Sequence, residues 1–175
     1  MDKDIPDGTG ALISISGLEN GQNILDKDYG NYATYVGGLG VANNLAIAGV
    51  KRTDGLMFDG DKEGQQAVNV GFVVESDNEV IDAKVLEFFQ IRCYNGGKEV
   101  YRHVITESNA VAAGIGTSSK TQKVRFSIRV EPIDKDAKTI KFDQVVLWKS
   151  GVLDLGLSKL RLYYAFLEDV NSPCA

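Results

Sequence analysis

Residues 124–130 read Val-Arg-Phe-Ser-Ile-Arg-Val, with apolar and polar side chains in strict alternation. A period of two places Val124, Phe126, Ile128 and Val130 on one face of an extended strand and Arg125, Ser127 and Arg129 on the other, a pattern that no helix can satisfy. The same logic puts Val68, Val70, Phe72 and Val74 on one face of a strand over residues 67–75. It divides residues 160–167 into Leu160, Leu162, Tyr164 and Phe166 against Arg161, Tyr163, Ala165 and Leu167. Shorter extended runs, rich in β-branched, aromatic or small residues, lie at 11–15, 32–36, 44–50 and 139–149. With the hairpin described next there are about nine strands and no long helical pattern, separated by turn residues roughly every ten positions. Such a chain is expected to be all-β, an antiparallel β-sandwich or jelly roll with little helix. The content of 19 glycines against 3 prolines agrees with many tight turns. One domain over residues 11–170 is expected, after a polar linker at 1–10 and before a short tail at 171–175.

The strongest local signal is a hairpin. Residues 85–94 and 100–105 flank Asn95-Gly96-Gly97-Lys98, and two central glycines suit the positive φ angles of a type I′ turn. A regular two-residue turn then sets Phe89, Ile91 and Cys93 on one face with Val100 and Val104. The other face carries Phe88, Gln90, Arg92 and Tyr94 with Tyr101, His103 and Ile105. In this register Cys93 and His103 point to opposite faces, which disfavours a thiol–imidazole pair.

The polar connection at 51–66 holds Leu56, Met57 and Phe58 at its middle. These residues are either an exposed binding tip or a plug folded onto the core, the plug being the commoner outcome. Asp59-Gly60-Asp61-Lys62-Glu63 lacks a full calcium-loop pattern and reads as a solvated loop. Residues 110–123 are small and polar and are expected to form a long loop. Gly37-Gly38-Leu39-Gly40 lacks the features of a nucleotide loop and reads as a turn.

Several function classes are disfavoured. A net charge of −5 argues against nucleic acid as a partner, and no apolar run is long enough to insert in a membrane. His103 is the single histidine. No nucleophile elbow, metalloprotease pair or Cys-x-x-Cys site is present, so no catalytic residue is assigned and no enzyme is expected. Met1 is followed by a polar Asp/Pro/Gly stretch rather than a signal sequence. The protein is then either cytosolic or exported with its signal removed. Cys93 and Cys174 read as free thiols, or as a disulfide that staples the tail.

The densest cluster of oxygen ligands is Asp26-Lys-Asp28-Tyr-Gly30-Asn31, followed by Thr34. Two carboxylates two positions apart, an amide, a hydroxyl and a glycine that lets the chain curl are a plausible start for structural Ca2+; the alternative is a turn held by Asp and Asn side chains. Aromatic rings on a sheet face or loop tip can stack on sugars, which makes Tyr35, Phe58, Tyr94 and Tyr101 candidate ligand contacts, with Tyr163 considered beside them. Trp148, at the end of an apolar strand, is expected in the core.

The segment from Asn23-Ile24-Leu25-Asp26 through Asn31-Tyr32-Ala33-Thr34, together with Ile140-Lys-Phe-Asp143, Val145-Val-Leu147 and Leu160-Arg-Leu-Tyr-Tyr164, is similar to the opening and ending of galactose-binding-domain-like sandwiches, the discoidin and carbohydrate-binding-module group. The chain also resembles β-sandwich domains of bacterial secreted surface proteins, through Val70-Gly71-Phe72-Val73 and the hairpin from Ile91 to Gly97. The resemblance implies an extracellular or cell-surface module with a binding or adhesion role, glycan as its partner, and a structural calcium at Asp26, Asp28, Asn31 and Thr34 closed by Glu168. The competing expectation is an interaction domain without a small ligand, packed against other domains of a longer chain.

Overall fold

The computed structural model describes residues 10–12, 17–25, 30–36, 44–76, 81, 83–112, 123–150 and 159–170. Thirteen strands are present among them: β1 (Gly10–Leu12), β2 (Leu18–Glu19), β3 (Ala33–Val36), β4 (Asn44–Arg52), β5 (Phe58–Asp59), β6 (Val68–Ser76), β7 (Phe89–Asn95), β8 (Lys98–Val104), β9 (Ala110–Ala112), β10 (Lys123–Val130), β11 (Lys141–Phe142), β12 (Gln144–Ser150) and β13 (Lys159–Asp169). The one α-helical segment described is a single turn, Ala83–Leu86. It takes the start of the run read as a strand from 85, because the Phe88 amide turns back to the Val85 carbonyl at 3.2 Å.

The strands form a 5-stranded sheet in the order β1-β4-β12-β7-β8 and a 6-stranded sheet in the order β2-β3-β13-β6-β10-β9, with β11 and β5 as a separate pair. Pairing is antiparallel in both sheets. The protein is an all-β sandwich. Its core is built from the period-two faces of both sheets: Ile47, Val50, Ile91, Val145 and Leu147 from one, and Val70, Phe72, Val74, Phe126, Ile128, Leu160 and Leu162 from the other. Phe89 of β7 stacks on Phe126 of β10, with centroids 6.0 Å apart, and ties the layers together.

Besides the register slip between Leu147 and Trp148 in the β4–β12 pairing, which leaves Ile47 as an extra residue beside Ala48 in the core, two irregularities change which side chains face out. In β13 the pairing with β6 slips between Leu162 and Tyr164, so Tyr163 is an extra residue. Beyond it Ala165 and Leu167 join the core, whereas Phe166 packs with Val73 and Tyr163 in a second, outer cluster flanked by Tyr164. The uniform alternation expected for this strand therefore fails at its midpoint. On that outer face Arg125 covers the Phe166 ring at 3.8 Å, Lys123 covers Tyr163 at 3.8 Å and Arg161 lies over Tyr32 at 4.9 Å. The second irregularity, in β8, shapes the candidate site.

The connection at 51–66 closes one end of the sandwich. Phe58 is 3% exposed and stacks on Phe142 with centroids 5.4 Å apart, so this ring is a plug. Asp59 and Asp61 both clasp the Lys141 ammonium, at 3.2 and 2.6 Å.

Candidate ligand-binding groove

The hairpin between β7 and β8 begins as its sequence requires. Gly96 and Gly97 have φ of 56° and 82°, and Asn95 pairs with Lys98 and Tyr94 with Glu99. The register then shifts: Cys93 pairs with Tyr101, Arg92 with Arg102 and Ile91 with His103. Val100 is the extra residue of a bulge, and every side chain beyond it changes face. Tyr101 and His103 thus share the side of Cys93 and Ile91, and the register expected from a regular hairpin is corrected by one position. The separation argued for Cys93 and His103 falls with it. Cys93 is nevertheless a fully buried thiol, and burial pushes its pKa well above the usual range, so the sulfur is unavailable as a nucleophile.

Strand β8 is the edge of its sheet. On the opposite layer β9 pairs only with residues 124–126 of β10. Among the described residues the side of the sandwich between β8 and the lower half of β10 is therefore uncovered. Tyr101 spans this opening, its hydroxyl donating to the Arg129 carbonyl at 3.2 Å. Burial chiefly, and then the neighbouring Cys93 and Glu131, hold its phenol pKa above the ordinary value. The bond fixes the ring in place, half-buried at the base of a groove.

The second wall is the connection between β10 and β11. Its backbone closes on itself: the Asp134 amide donates to Lys138 O at 2.9 Å, Ala137 N to Asp134 O at 3.0 Å and Ile140 N to Pro132 O at 2.8 Å. The Asp134 carboxylate accepts the Asp136 and Lys138 amides, each at 2.8 Å. Between this loop and β8 lies a cavity of about 440 Å³ with Val100, Tyr101, Ile133 and Ile140 as its apolar lining. That size falls in the range of small-molecule sites. Ile133 is 57% exposed and Val100 37%, which leaves this surface open to a partner.

The rim carries Glu99, Arg102, Glu131, Asp134 and Lys135. Glu99 lies 3.6 Å from both Arg92 and Arg102, and Glu131 pairs with Arg129 at 2.5 Å. With Asp134 engaged by its own loop, each rim carboxylate already has partners.

The sequence-derived site residues are dispersed. Tyr101 lines the groove. Tyr94 is half-buried on the outer side of the five-stranded sheet, opposite Gln144. Tyr35 is 3% exposed and belongs to the core, as does Phe58; neither ring is offered to a ligand, because each fills a position where an inward-facing strand residue must pack. Trp148, expected inside, lies on the outer sheet face with the Arg92 guanidinium 4.1 Å over its ring. Tyr163 is buried and donates a hydrogen bond to Glu75.

For the proposed metal shell, Asp26 and Asp28 lie outside the described residues; Asn31 and Thr34 are half-buried at the entry to β3. Glu168 is removed from the set. Thr34 pairs with Arg161, seven positions along β13 from Glu168, which is roughly 20 Å at the rise of a strand. Glu168 is instead ion-paired with Arg125. Among the described residues no three His, Cys, Asp or Glu side chains are grouped to hold a metal. Cys174, the Gly37–Gly40 turn and most of the 110–123 loop also lie outside the described residues.

Residue reasoning missed the groove because its members come from two segments that look ordinary separately. The one legible signal was the turn cluster at 134–138. The bulge at Val100 leaves no mark in composition or spacing.

No protein-family model matches the chain, and no curated protein matches it. Among solved structures it is similar in shape to a fucose binding module of Streptococcus pneumoniae, at 12% identity over 98% of this chain and 99% of that one, with a TM-score of 0.44. A mutant of the lectin binding domain of Lectinolysin complexed with Lewis b matches at 13% identity over 97% of each chain, TM-score 0.43. A further S. pneumoniae fucose binding module matches at 13% identity over 96% of each chain, TM-score 0.40. At these scores the likeness bears on neither ligand nor activity, and the sandwich assignment rests on the paired sheets themselves.

Proposed function

We propose that this chain is a non-catalytic binding module of an exported or surface-attached protein and that it holds a glycan in the groove between β8 and residues 131–140. The observation that carries this reading is the fixed Tyr101 ring on an apolar floor inside a polar rim. A pyranose has an apolar face that packs on an aromatic ring and an equatorial fringe of hydroxyls that needs donors and acceptors. The groove offers both within one cavity of about 440 Å³. A catalytic reading has less support: the Cys93 thiol is buried, the His103 ring lies against the Val104 carbonyl at 2.9 Å, and the groove carboxylates are engaged by Arg92, Arg102, Arg129 and backbone amides. A structural calcium at Asp26, Asp28, Asn31 and Thr34 is retained in this proposal, as a brace of the loop before β3 with no part in recognition.

A glycan array followed by calorimetry on the best hit tests the reading. Tyr101→Ala should weaken binding at least about tenfold, the loss of one stacked ring and its burial. Array signals no higher than background, beside self-association in solution, would replace the glycan with a protein partner. That second reading is favoured by one observation, the uncovered edge of β8, on which Val100 and Val104 are 37% and 39% exposed.

A further inference from the structure

Building on the glycan reading of the groove, we propose that its ligand is an acidic saccharide, a uronic or sialic acid residue whose carboxylate meets Lys135 and Arg102. Of the rim carboxylates, Glu99 is held by Arg92 and Arg102, Glu131 by Arg129, and Asp134 by the amides of Asp136 and Lys138. Lys135, by contrast, lines the cavity and has no ion pair or hydrogen bond to its ammonium among the described residues. Arg102 lies 3.6 Å from Glu99 through its Nε, and its side chain is 65% exposed.

The rim charge that no described group engages is therefore a cation, Lys135, although the chain as a whole carries −5. The lining holds Arg102 and Lys135 with Glu99, Glu131 and Asp134; Asp134 is held by backbone amides rather than by a counterion, and Lys135 is the charged group without a partner among the described residues. An exposed arginine suits the bidentate geometry of a carboxylate, and a lysine adds a compact charge beside it. Tyr101, Val100 and Ile133 lie in the same cavity, so the ring of the sugar and its acid group can be met together.

The test compares an oligosaccharide ending in glucuronic acid with the same oligosaccharide carrying glucose, and a sialyl oligosaccharide with its asialo form, by calorimetry at low and high salt. The expected result is five- to tenfold tighter binding of at least one acidic form at low salt, shrinking as salt rises, because exposed charge pairs are weak and screened. Lys135→Gln should remove most of that advantage, read as the ratio of acidic to neutral affinity, at an unchanged melting temperature. Equal binding of acidic and neutral forms, or an acidic preference that survives both Lys135→Gln and Arg102→Gln, overturns the inference and leaves the glycan reading standing. Absence of binding by every form, together with indifference to Tyr101→Ala on an array, overturns both.

Discussion

Gly71 shows how much one position can decide. It sits in β6 between Phe126 and Phe166, and a β-carbon there would lie 2.1 Å from the Phe126 carbonyl oxygen and 2.4 Å from the Phe166 ring. One obstacle is backbone, which cannot swing aside. Gly71→Ala is expected to destabilise the sandwich by about 2–3 kcal/mol, at the upper end of overpacking costs, read as a lowered denaturation midpoint at unchanged slope. Gly71 belonged to a motif in the sequence, but the reason for it did not, since the ring that fills its place comes from a strand almost a hundred residues away. Tyr101 is the same lesson for the site. Its residue type suggested a contact, and the structure places it in the lining of a groove, on the other face of the hairpin from the one expected. Tyr35 and Phe58 were equally good candidates by type and are both core, because aromatic content alone does not distinguish a ring that packs inward from one that waits for a ligand.

At the scale of elements, the small β5–β11 pair and the hairpin carry the consequences. Lys141 is held above its ordinary pKa of 10.5 by hydrogen bonds to Asp61 and then Asp59, and Asp61 is held below its ordinary 3.8 by hydrogen bonds from Lys141 and then Thr139. The carboxylate's contribution to stability is present above about pH 4 and lost as pH falls through its lowered folded value. The ammonium's contribution is full below 10.5 and lost as pH rises through its raised folded value. All three groups are accessible to water, so the clip is a modest one. Lys141→Met should lower the melting temperature at pH 7 by no more than about 3 °C, and the curves of wild type and variant should converge near pH 2. A constant offset across that range would contradict the electrostatic account. In β8, deletion of Val100 removes the bulged residue and leaves Tyr101 opposite Cys93 in a regular register, on the face it already occupies. The proposed glycan binding should then weaken only by the loss of Val100 from the apolar lining, while the antiparallel sheet signature in circular dichroism persists; complete loss of binding would show that the bulge itself shapes the groove.

For the molecule as a whole, two sheets with a shared core leave, among the described residues, the side at β8 uncovered and one face closed by arginine and lysine side chains laid over aromatic rings. The calcium proposal belongs at this scale, since an ion at the β3 entry would act on global stability. Millimolar Ca2+ should raise the melting temperature of the wild type, and Asp26→Ala should abolish the rise without affecting stability in chelator. A wild-type melting temperature indifferent to calcium would remove the metal from the account. The sandwich class, the strand faces of β6 and β10 and the glycine turn of the hairpin were all readable along the chain, because period-two patterning and positive-φ turns are local properties. What tertiary structure alone decided were the bulges at Val100 and Tyr163, the closure of the 56–58 plug and the meeting of β8 with residues 131–140. A bulge is set by how a strand must bend to fit its neighbours, and a groove by which two segments the topology leaves side by side at an edge. Neither has a periodic signature, so strand patterning led to the fold, and only the packed sheets revealed the groove.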